Sequence, residues 1–309
     1  MRIITAAEVE AALDFTDLIE RLRETFRKGA EVPVRHHHAI GSGSDATLLL
    51  MPAWQAGRHI GIKLVTVFPH NSEKSLPSVM GAYLLLNGNT GEPLAMIDGP
   101  TLTVKRTAAA SALAASYLAR PDCERLLMVG TGALAPYLIR AHATVRPICN
   151  VLIWGRNPDK AEQLARRLDR RDFKVAATQN LEAAVRGAHV ISAATMTSEP
   201  LIRGEWLQPG QHVDLVGGFR PDMREADDMA IERARVFVDT REGACAEAGD
   251  IVQPLESGVL SAEDIAADLF DLTRGERAGR RYYDQITLFK SVGTALEDLG
   301  AAQLAVERC

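Results

Sequence analysis

The first residues of the chain place apolar positions at helical spacing. Thr5 and Glu8 form a Thr-x-x-Glu capping box, which predicts that a short helix begins there. A second helix is predicted from Asp14, with Gly29 as its stop. The apolar side chains that share one face of this second helix are Phe15, Leu18, Ile19, Leu22 and Phe26. The pattern is typical of an amphipathic helix packed on a core.

The segments that follow have strand character, because aliphatic residues cluster or alternate between turn signals. They lie at 46–54, 59–68, 80–87 and 92–97. The short turn NGNTG at 87–91 separates the last two, which favours an antiparallel meander. An alanine-rich segment at 102–120 then predicts a closely packed connecting helix.

From residue 125 onward, strand and helix patterns alternate. Strands are predicted at 126–130, 151–155, 173–178, 189–195, 212–218 and 235–240, and helices run to about His142, over 158–170 and near 181–186. This alternation predicts a parallel, doubly wound sheet. The segment QITLFKSVGTALEDLGAA at 285–302 predicts a helix that returns to the first domain.

The chain is therefore predicted to be an α/β protein of two domains. Residues 121–285 form a doubly wound parallel sheet of the Rossmann type, and residues 1–120 form a smaller α+β domain. A C-terminal helix at 286–309 completes the smaller domain. The 309 residues, 47% of them hydrophobic, are enough to bury two cores.

Composition narrows the classes of function. The net charge of −5 gives no reason to expect nucleic acid or an acidic membrane surface as a partner. No run of about 18 apolar residues occurs, and Glu8 and Glu10 interrupt the stretch that a signal peptide would need, so we expect a cytoplasmic protein. No metal is expected: the triplet at 36–38 is extended, with neighbouring histidines on opposite faces and no acid nearby. The cysteines are too scattered for a zinc site or a disulfide framework; they are Cys123, Cys149, Cys245 and Cys309.

A glycine-rich turn supplies the first candidate chemistry. The stretch VGTGALA places Gly130, Gly132 and Ala135 as GxGxxA, directly after a predicted strand and before a predicted helix. Gly130 allows the tight turn, Gly132 lets the backbone approach a pyrophosphate, and Ala135 lets helix and strand pack closely. Because the helix N-terminus then faces the phosphates, the turn predicts dinucleotide binding.

The end of the second strand bears on which nicotinamide cofactor binds. An acid that hydrogen-bonds the ribose 2′-hydroxyl normally stands there, whereas this chain has Gly155, Arg156 and Asn157. A guanidinium without a carboxylate favours the 2′-phosphate of NADP(H), with NAD(H) left open. The alternative is that Arg156 stacks on adenine or faces solvent.

Three cations of the first half are candidate ligands for an anion: Arg35, Lys63 and Arg106. Lys63 alternates with Gly61 and valines along its strand, so its ammonium lies either at a sheet edge or in a cavity. By residue type alone, each of the three is more often a surface or structural cation than a ligand.

The sequence resembles the ornithine cyclodeaminase/mu-crystallin family over nearly its whole length. The segments that carry the resemblance are GIKLVTVFPHN (61–71), TGEPLAMIDGPTLTVKRTAAASALAA (90–115), VGTGALA (129–135), GRN (155–157), DLVGGFRPDMREAD (214–227), VFVDTREGACAEAGD (236–250) and TLFKSVGTALEDL (287–299). The resemblance implies a Rossmann domain joined to a dimerisation domain, and hence a homodimer whose sheet forms much of the subunit interface.

The resemblance also implies roles for individual residues. Arg35, Lys63 and Arg106 would clamp the carboxylate of a small imino- or amino-acid substrate. The residues implied to contact the cofactor are Ser78, Thr107, Gly130, Thr131, Gly132, Ala133, Arg156 and Asn157, with Val292 and Gly293 near the nicotinamide.

One departure from the family pattern decides between reactions. Cyclodeaminases of this family carry an aspartate directly after the GG of the strand-end motif, and it acts as a base; this chain has Phe219 there. Phenylalanine cannot move a proton, so Phe219 is expected to line the substrate pocket. Asp222 is interpreted as a helix N-cap rather than a displaced catalyst. The pattern GGFRPDMREAD is more similar to the Δ1-pyrroline-2-carboxylate/Δ1-piperideine-2-carboxylate reductases.

The predicted function is therefore reduction of a cyclic imino acid to L-proline or L-pipecolate with NAD(P)H. Lys63 or a bound water is the candidate proton donor, since an imine that arrives protonated needs no strong general acid. The alternatives are an ornithine cyclodeaminase, an alanine-dehydrogenase-like or N-alkyl amino-acid reductase, and a ligand-binding protein of the mu-crystallin kind.

Overall fold

The computed structural model describes residues 1–40, 46–74, 76–168 and 173–309. These residues divide into two compact units: unit 1 is Met1–Arg106 with Thr294–Cys309, and unit 2 is Thr107–Gly293. The division falls inside the connecting helix and at 293/294, whereas the sequence pattern suggested 120/121 and 285/286. Within the described residues, no helix is both long and apolar enough to cross a membrane.

The elements are numbered along the chain. The strands are β1 (Arg2–Ile4), β2 (His36–Ala39), β3 (Thr47–Gln55), β4 (His59–Val67), β5 (Val79–Asn87), β6 (Pro93–Asp98), β7 (Arg125–Val129), β8 (Asn150–Trp154), β9 (Lys174–Ala177), β10 (Val190–Ala193), β11 (His212–Leu215), β12 (Arg235–Val238), β13 (Ala267–Asp268) and β14 (Thr287–Lys290). The helices are α1 (Ala6–Ala12), α2 (Phe15–Lys28), α3 (Gly99–Leu118), α4 (Ala135–Val145), α5 (Pro158–Leu168), α6 (Leu181–Gly187), α7 (Asp228–Arg233), α8 (Arg241–Glu247), α9 (Gly249–Ser257), α10 (Leu269–Arg274) and α11 (Ala295–Arg308). The predicted helix over 158–170 is confirmed to Leu168, and its last two residues lie outside the described residues.

Unit 1 is built on a six-stranded sheet in the order β1-β6-β5-β4-β3-β2. The antiparallel meander is confirmed, because β3, β4, β5 and β6 pair antiparallel in sequence order, and only β1 joins parallel to β6. Residues alternate between a buried face and a half-exposed face, which is the period-2 signature of a sheet covered on one side. Helices α2 and α11 pack against each other, and α11 also packs on β3, β4 and β5.

The caps of the first two helices follow the sequence signals. Thr5 and Glu8 make the predicted capping box of α1. Asp14 caps α2 by accepting a hydrogen bond from the Thr16 N–H at 2.8 Å, and Gly29 ends that helix with φ of 75°. The apolar face predicted for α2 is buried along its whole length.

Unit 2 is built on an eight-stranded sheet in the order β13-β12-β14-β11-β10-β7-β8-β9. Every described pair in it is parallel, which confirms the predicted doubly wound α/β fold. The strand order reverses direction between β7 and β10, and that point is where ligands bind in open α/β sheets. Because all strands run the same way, their carboxyl ends share one edge.

The predicted continuous helix over 285–302, and the assignment of 286–309 to the first domain, are wrong in their first part. Thr287–Lys290 is β14, which lies between β11 and β12 with all four residues buried. A run of four buried residues is too short for periodicity to distinguish strand from helix. The helix begins only at Ala295, after the N-cap Thr294.

The interpretation of Asp222 as a helix N-cap is also wrong. Its carboxylate pairs with Arg220 at 2.9 Å, and no described helix begins there. The next helix, α7, is capped by Asp227 instead. The backbone N–H groups of Glu225 and Ala226 donate to a distant carboxylate, so they are not available for a helical turn.

Candidate active site

The glycine-rich turn after β7 has the backbone that dinucleotide binding requires. Gly130 has φ of 122°, and a Cβ added there would lie 2.6 Å from the Ala194 carbonyl oxygen, so only glycine fits. Gly132 is exposed, and a Cβ added to it would meet nothing within 4 Å. Helix α4 begins at Ala135 without a side-chain cap. Its first turn offers little to a ligand, because Pro136 has no N–H and the N–H groups of Ala135 and Tyr137 donate to backbone carbonyls at 3.2 and 3.0 Å. Thr131 and Ala133 complete the turn. The local structure therefore fits a pyrophosphate.

The loop after β8 lies beside that turn. A Cβ added at Gly155 would be 2.7 Å from Cγ2 of Thr131, so glycine is needed for the approach. Arg156 is exposed and makes no ion pair among the described residues. Asn157 caps α5, since its Oδ1 accepts a hydrogen bond from the Lys160 N–H at 3.1 Å. The arrangement leaves the guanidinium available to an anionic group.

A buried carboxylate, Glu225, holds the loops after β10 and β11. Its Oε1 accepts hydrogen bonds from the N–H and the hydroxyl of Thr195, both at 2.7 Å, and its Oε2 accepts one from the Gly217 N–H at 2.8 Å. Phe219 follows two residues after Gly217 and is half exposed, with 46% of its surface accessible. The hydrogen bond between Gly217 and Glu225 therefore fixes the loop that carries Phe219.

Two more buried charges complete this cluster. Lys290 pairs with Asp250 at 2.9 Å and donates to the Gly217 carbonyl, and all three groups are buried. Burial raises the pKa of Glu225 to about 7, with Lys290 lowering it and Asp250 raising it. Sequence analysis missed these residues. The sequence feature that could have revealed them is a charged residue within or beside an apolar run: Lys290 in TLFK and Glu225 in MREAD. Such a charge is costly to bury unless it is paired.

The loop after β14 is held in a similar way by Asp239. One oxygen, Oδ2, accepts hydrogen bonds from the Ser291 hydroxyl, the Val292 N–H and the Gly293 N–H at 3.2, 2.8 and 2.7 Å. Burial raises the pKa of Asp239, although these hydrogen bonds oppose the rise. Val292 and Gly293 therefore lie at the same sheet edge as the glycine-rich turn, because β7 and β14 run parallel within one sheet.

In unit 1, the structure brings Lys63 and Arg106 together on a shared carboxylate. Lys63 Nζ lies 2.7 Å from Oδ2 of Asp298, and Arg106 Nε donates to Oδ1 of the same residue at 2.9 Å. Arg106 Nη1 also donates to Glu297 at 2.8 Å. All four side chains are at most 6% exposed, so these are buried ion pairs rather than surface cations. The alternative that Lys63 and Arg106 are ordinary surface charges is therefore excluded.

The electrostatics of this cluster set the charge of Lys63. Burial lowers the pKa of Lys63 to about 8; Asp298 opposes this, and the positive charges of Arg106 and Arg35 add to it. Burial also acts against the charged form of Arg106, but Asp298 and Glu297 outweigh it and raise its pKa. The ammonium of Lys63 can thus lose a proton near neutral pH, whereas the guanidinium of Arg106 stays charged.

The remaining predicted residues range from buried to exposed. Arg35 precedes β2, is partly exposed and lies close enough to influence Lys63 electrostatically. Ser78 precedes β5, and its hydroxyl donates to the Pro69 carbonyl at 3.4 Å. Thr107 follows Arg106 in α3 and is buried. The histidines at 36–38 are exposed on β2.

Glu297 and Asp298 were missed because they lie in the predicted C-terminal helix, where acids are common. The sequence feature that could have revealed them is the segment ALEDLGAAQLA, in which the two adjacent acids are flanked mainly by apolar residues. A helix that is apolar all round is buried, and its acids then need cationic partners.

Known proteins resemble this chain over its full length. A sequence profile of the ornithine cyclodeaminase/mu-crystallin family matches residues 1–309. The Delta(1)-pyrroline-2-carboxylate reductase of Paracoccus denitrificans is 40% identical over 300 residues, which cover 96% of this chain and 94% of that protein. Each of these similarities includes both compact units.

Solved structures agree with the sequence comparison. The Thermococcus litoralis Delta(1)-pyrroline-2-carboxylate reductase in complex with NADH and L-proline has a TM-score of 0.94 and 32% identity, covering 100% of this chain and 97% of that one. An archaeal alanine dehydrogenase dimer with bound NAD has a TM-score of 0.91 and 29% identity, covering 100% of this chain and 95% of that one.

Proposed function

This chain belongs to the ornithine cyclodeaminase/mu-crystallin family, and on that premise we propose that it is an imine reductase acting on cyclic imino acids. The substrate is Δ1-pyrroline-2-carboxylate, Δ1-piperideine-2-carboxylate or both, and the product is L-proline or L-pipecolate. The observation that carries the proposal is the buried ammonium of Lys63 beside the buried guanidinium of Arg106.

The two cations do different work. Arg106 uses Nε and one N–H of Nη1 on its own acids, so three of its five N–H donors are left for a substrate carboxylate. Arg35 adds a third positive charge near Lys63. Lys63 is the proposed proton donor to the imine nitrogen, because its ammonium can give up a proton near neutral pH.

The nicotinamide cofactor, when bound, supplies the hydride that reduces C2 of the C=N bond. We propose that the backbone of the turn at 130–133, which precedes α4, holds its pyrophosphate, with Ser78, Thr107, Asn157, Val292 and Gly293 as further contacts. Arg156 favours NADPH over NADH, since it offers a charge-assisted hydrogen bond to a 2′-phosphate and no acid stands beside it. Phe219 is proposed to line the substrate pocket, where it cannot act as the base that a cyclodeaminase requires.

We also propose that the protein is a homodimer; the similar archaeal alanine dehydrogenase is a dimer. The more exposed face of the unit 1 sheet is apolar over most of β3–β6, where its polar residues are Thr66 and Asp98, and β2 adds His36 and His38 at one edge. The apolar residues of this face are Leu48, Leu50, Pro52, Trp54, Ile60, Ile62, Leu64, Met80, Ala82, Leu84, Leu86, Leu94 and Met96. An apolar surface of this extent is typical of a subunit interface.

Turnover of reduced cofactor tests the reaction class. We expect the purified protein to oxidise NADPH with Δ1-pyrroline-2-carboxylate or Δ1-piperideine-2-carboxylate and to form L-proline or L-pipecolate, detected by chiral chromatography. L-Ornithine with NAD should give no proline and no ammonia. Proline formation from ornithine at a rate comparable to imine reduction would show that the protein is a cyclodeaminase.

A further inference from the structure

The two buried acids of α11 are adjacent in sequence but have different partners. Asp298 bridges Lys63 and Arg106 through its two oxygens. Glu297 accepts a hydrogen bond from Nη1 of Arg106 at 2.8 Å. Among the described residues, the acid paired with the Lys63 ammonium is Asp298.

We propose that Asp298 is a positioning residue that keeps Lys63 charged and oriented for proton delivery to the imine nitrogen, while Glu297 orients Arg106 for the substrate carboxylate. The inference rests on the proposed function. It adds a division of labour: Asp298, which contacts both cations, sets the charge of Lys63, whereas Glu297 acts on Arg106.

Lys63 can donate a proton to the substrate while its ammonium is paired with Asp298. An ammonium has three N–H donors, and one directed at Asp298 leaves two. In the reaction, the hydride adds to C2 as the N–H bond forms at the imine nitrogen, and an Nζ–H bond of Lys63 breaks. The electron pair of the C=N π bond becomes the N–H bond, and the neutral Lys63 regains a proton from water.

The groups facing Lys63 from the elements around it explain why Asp298 controls its charge. Arg106 on α3 and Arg35 before β2 both favour the neutral amine. Tyr83 is the residue opposite Lys63 on β5, and burial raises its pKa well above the usual value, so it is uncharged. Asp298 supplies the opposing negative charge, and without it the pKa of Lys63 would fall below its present value of about 8.

The test compares Asp298→Asn with its neighbour Glu297→Gln. Both changes preserve shape and remove one buried negative charge from the same turn of α11, so a general packing defect would affect both. Steady-state kinetics are measured from pH 6 to 10 with the imino acid that the unmodified protein turns over, together with the melting temperature of each variant.

The expected results separate the two roles. For the unmodified protein, kcat should fall as the pH rises through about 8, because Lys63 loses its proton there. Asp298→Asn should move this fall to lower pH and reduce kcat at pH 7.5 by about threefold or more, since a one-unit fall of a pKa near 8 cuts the protonated fraction at that pH to about a third. Glu297→Gln should raise KM for the imino acid and leave the pH of the fall unchanged.

A second readout does not depend on turnover. The pH titration of the Lys63 Cε resonance in protein labelled with 13C-lysine, assigned with Lys63→Met, should shift to lower pH in Asp298→Asn and stay in place in Glu297→Gln. If Asp298→Asn leaves both titration and kcat profile unmoved, or if the two variants behave alike, the inference is wrong. If the unmodified protein reduces no cyclic imine while the NMR shift appears, the proposed function fails and the control of Lys63 by Asp298 stands.

Discussion

At the scale of the residue, the role of a cationic side chain depends on whether it is buried or exposed. Lys63 and Arg106 are buried cations that must be paired, and the acids that pair them set which one can release a proton. Arg156 is the opposite case, an exposed guanidinium beside a glycine-rich turn. Arg156 is therefore expected to contribute to ligand affinity rather than to an ion pair within the protein.

Arg156→Ala is expected to weaken NADPH far more than NADH. Loss of a charge-assisted contact to the 2′-phosphate costs about 1.5–3 kcal/mol, which is roughly a 10- to 150-fold rise in the NADPH dissociation constant. Fluorescence titration of both cofactors measures it. Arg166→Ala is the matched control, because Arg166 lies on the exposed surface of α5 and, within the described part of the chain, pairs with Glu162 at 2.9 Å. Equal affinities for both cofactors in the unmodified protein would rule out this role.

At the scale of the element, strand β4 depends on a residue without a side chain. Gly61 and Lys63 lie on the same face of β4, and the ring of Tyr83 lies over Gly61. A Cβ added at Gly61 would be 1.8 Å from the Tyr83 hydroxyl oxygen and 2.7 Å from Cζ. The glycine thus lets a large aromatic side chain pack next to the Lys63 ammonium.

Gly61→Ala should therefore lower the free energy of unfolding, by about 1–3 kcal/mol, the usual cost of overpacking. Denaturant unfolding measures the change. Gly187→Ala is the control, since a Cβ there meets nothing within 4 Å, and its effect should stay within about 0.5 kcal/mol. Tyr83→Phe in the Gly61→Ala background should recover part of the loss. Equal stabilities of Gly61→Ala and Gly187→Ala would contradict the close packing described here.

At the scale of the whole molecule, the apolar sheet face of unit 1 predicts self-association. Leu64 is near the middle of that face and is 42% exposed. Leu64→Lys should weaken the dimer by tenfold or more, because an ammonium would be buried against an apolar partner surface. Sedimentation velocity over a concentration series measures the shift.

The control for the dimer experiment is Leu152→Lys on β8. Leu152 is 37% exposed, which is close to Leu64, but it lies in unit 2, outside the apolar face. This variant should keep the oligomeric state of the unmodified protein. If the unmodified protein sediments as a monomer, or if both lysine variants dissociate alike, the interface does not lie on this sheet face.

The sequence by itself determined the features that depend on neighbours along the chain. The capping box of Thr5 and Glu8, the stop at Gly29 and the turn at Gly130 are read within a few residues, and the structure has each of them. The parallel sheet of unit 2 was predictable for a similar reason, since strands joined through helices pair parallel. Phe219 was found by comparing one position with a family pattern.

Only the tertiary structure decided which charges meet. Arg106 and Asp298 are 192 positions apart, and no local pattern states that they share a hydrogen bond. The identity of Thr287–Lys290 as a central strand was likewise decided by its neighbours β11 and β12, because four buried residues fit either a strand or a helix. Pairing of buried charges depends on residues that are far apart in sequence. The sequence shows that an acid or a lysine lies in an apolar run, but only the fold determines which partner stabilises it.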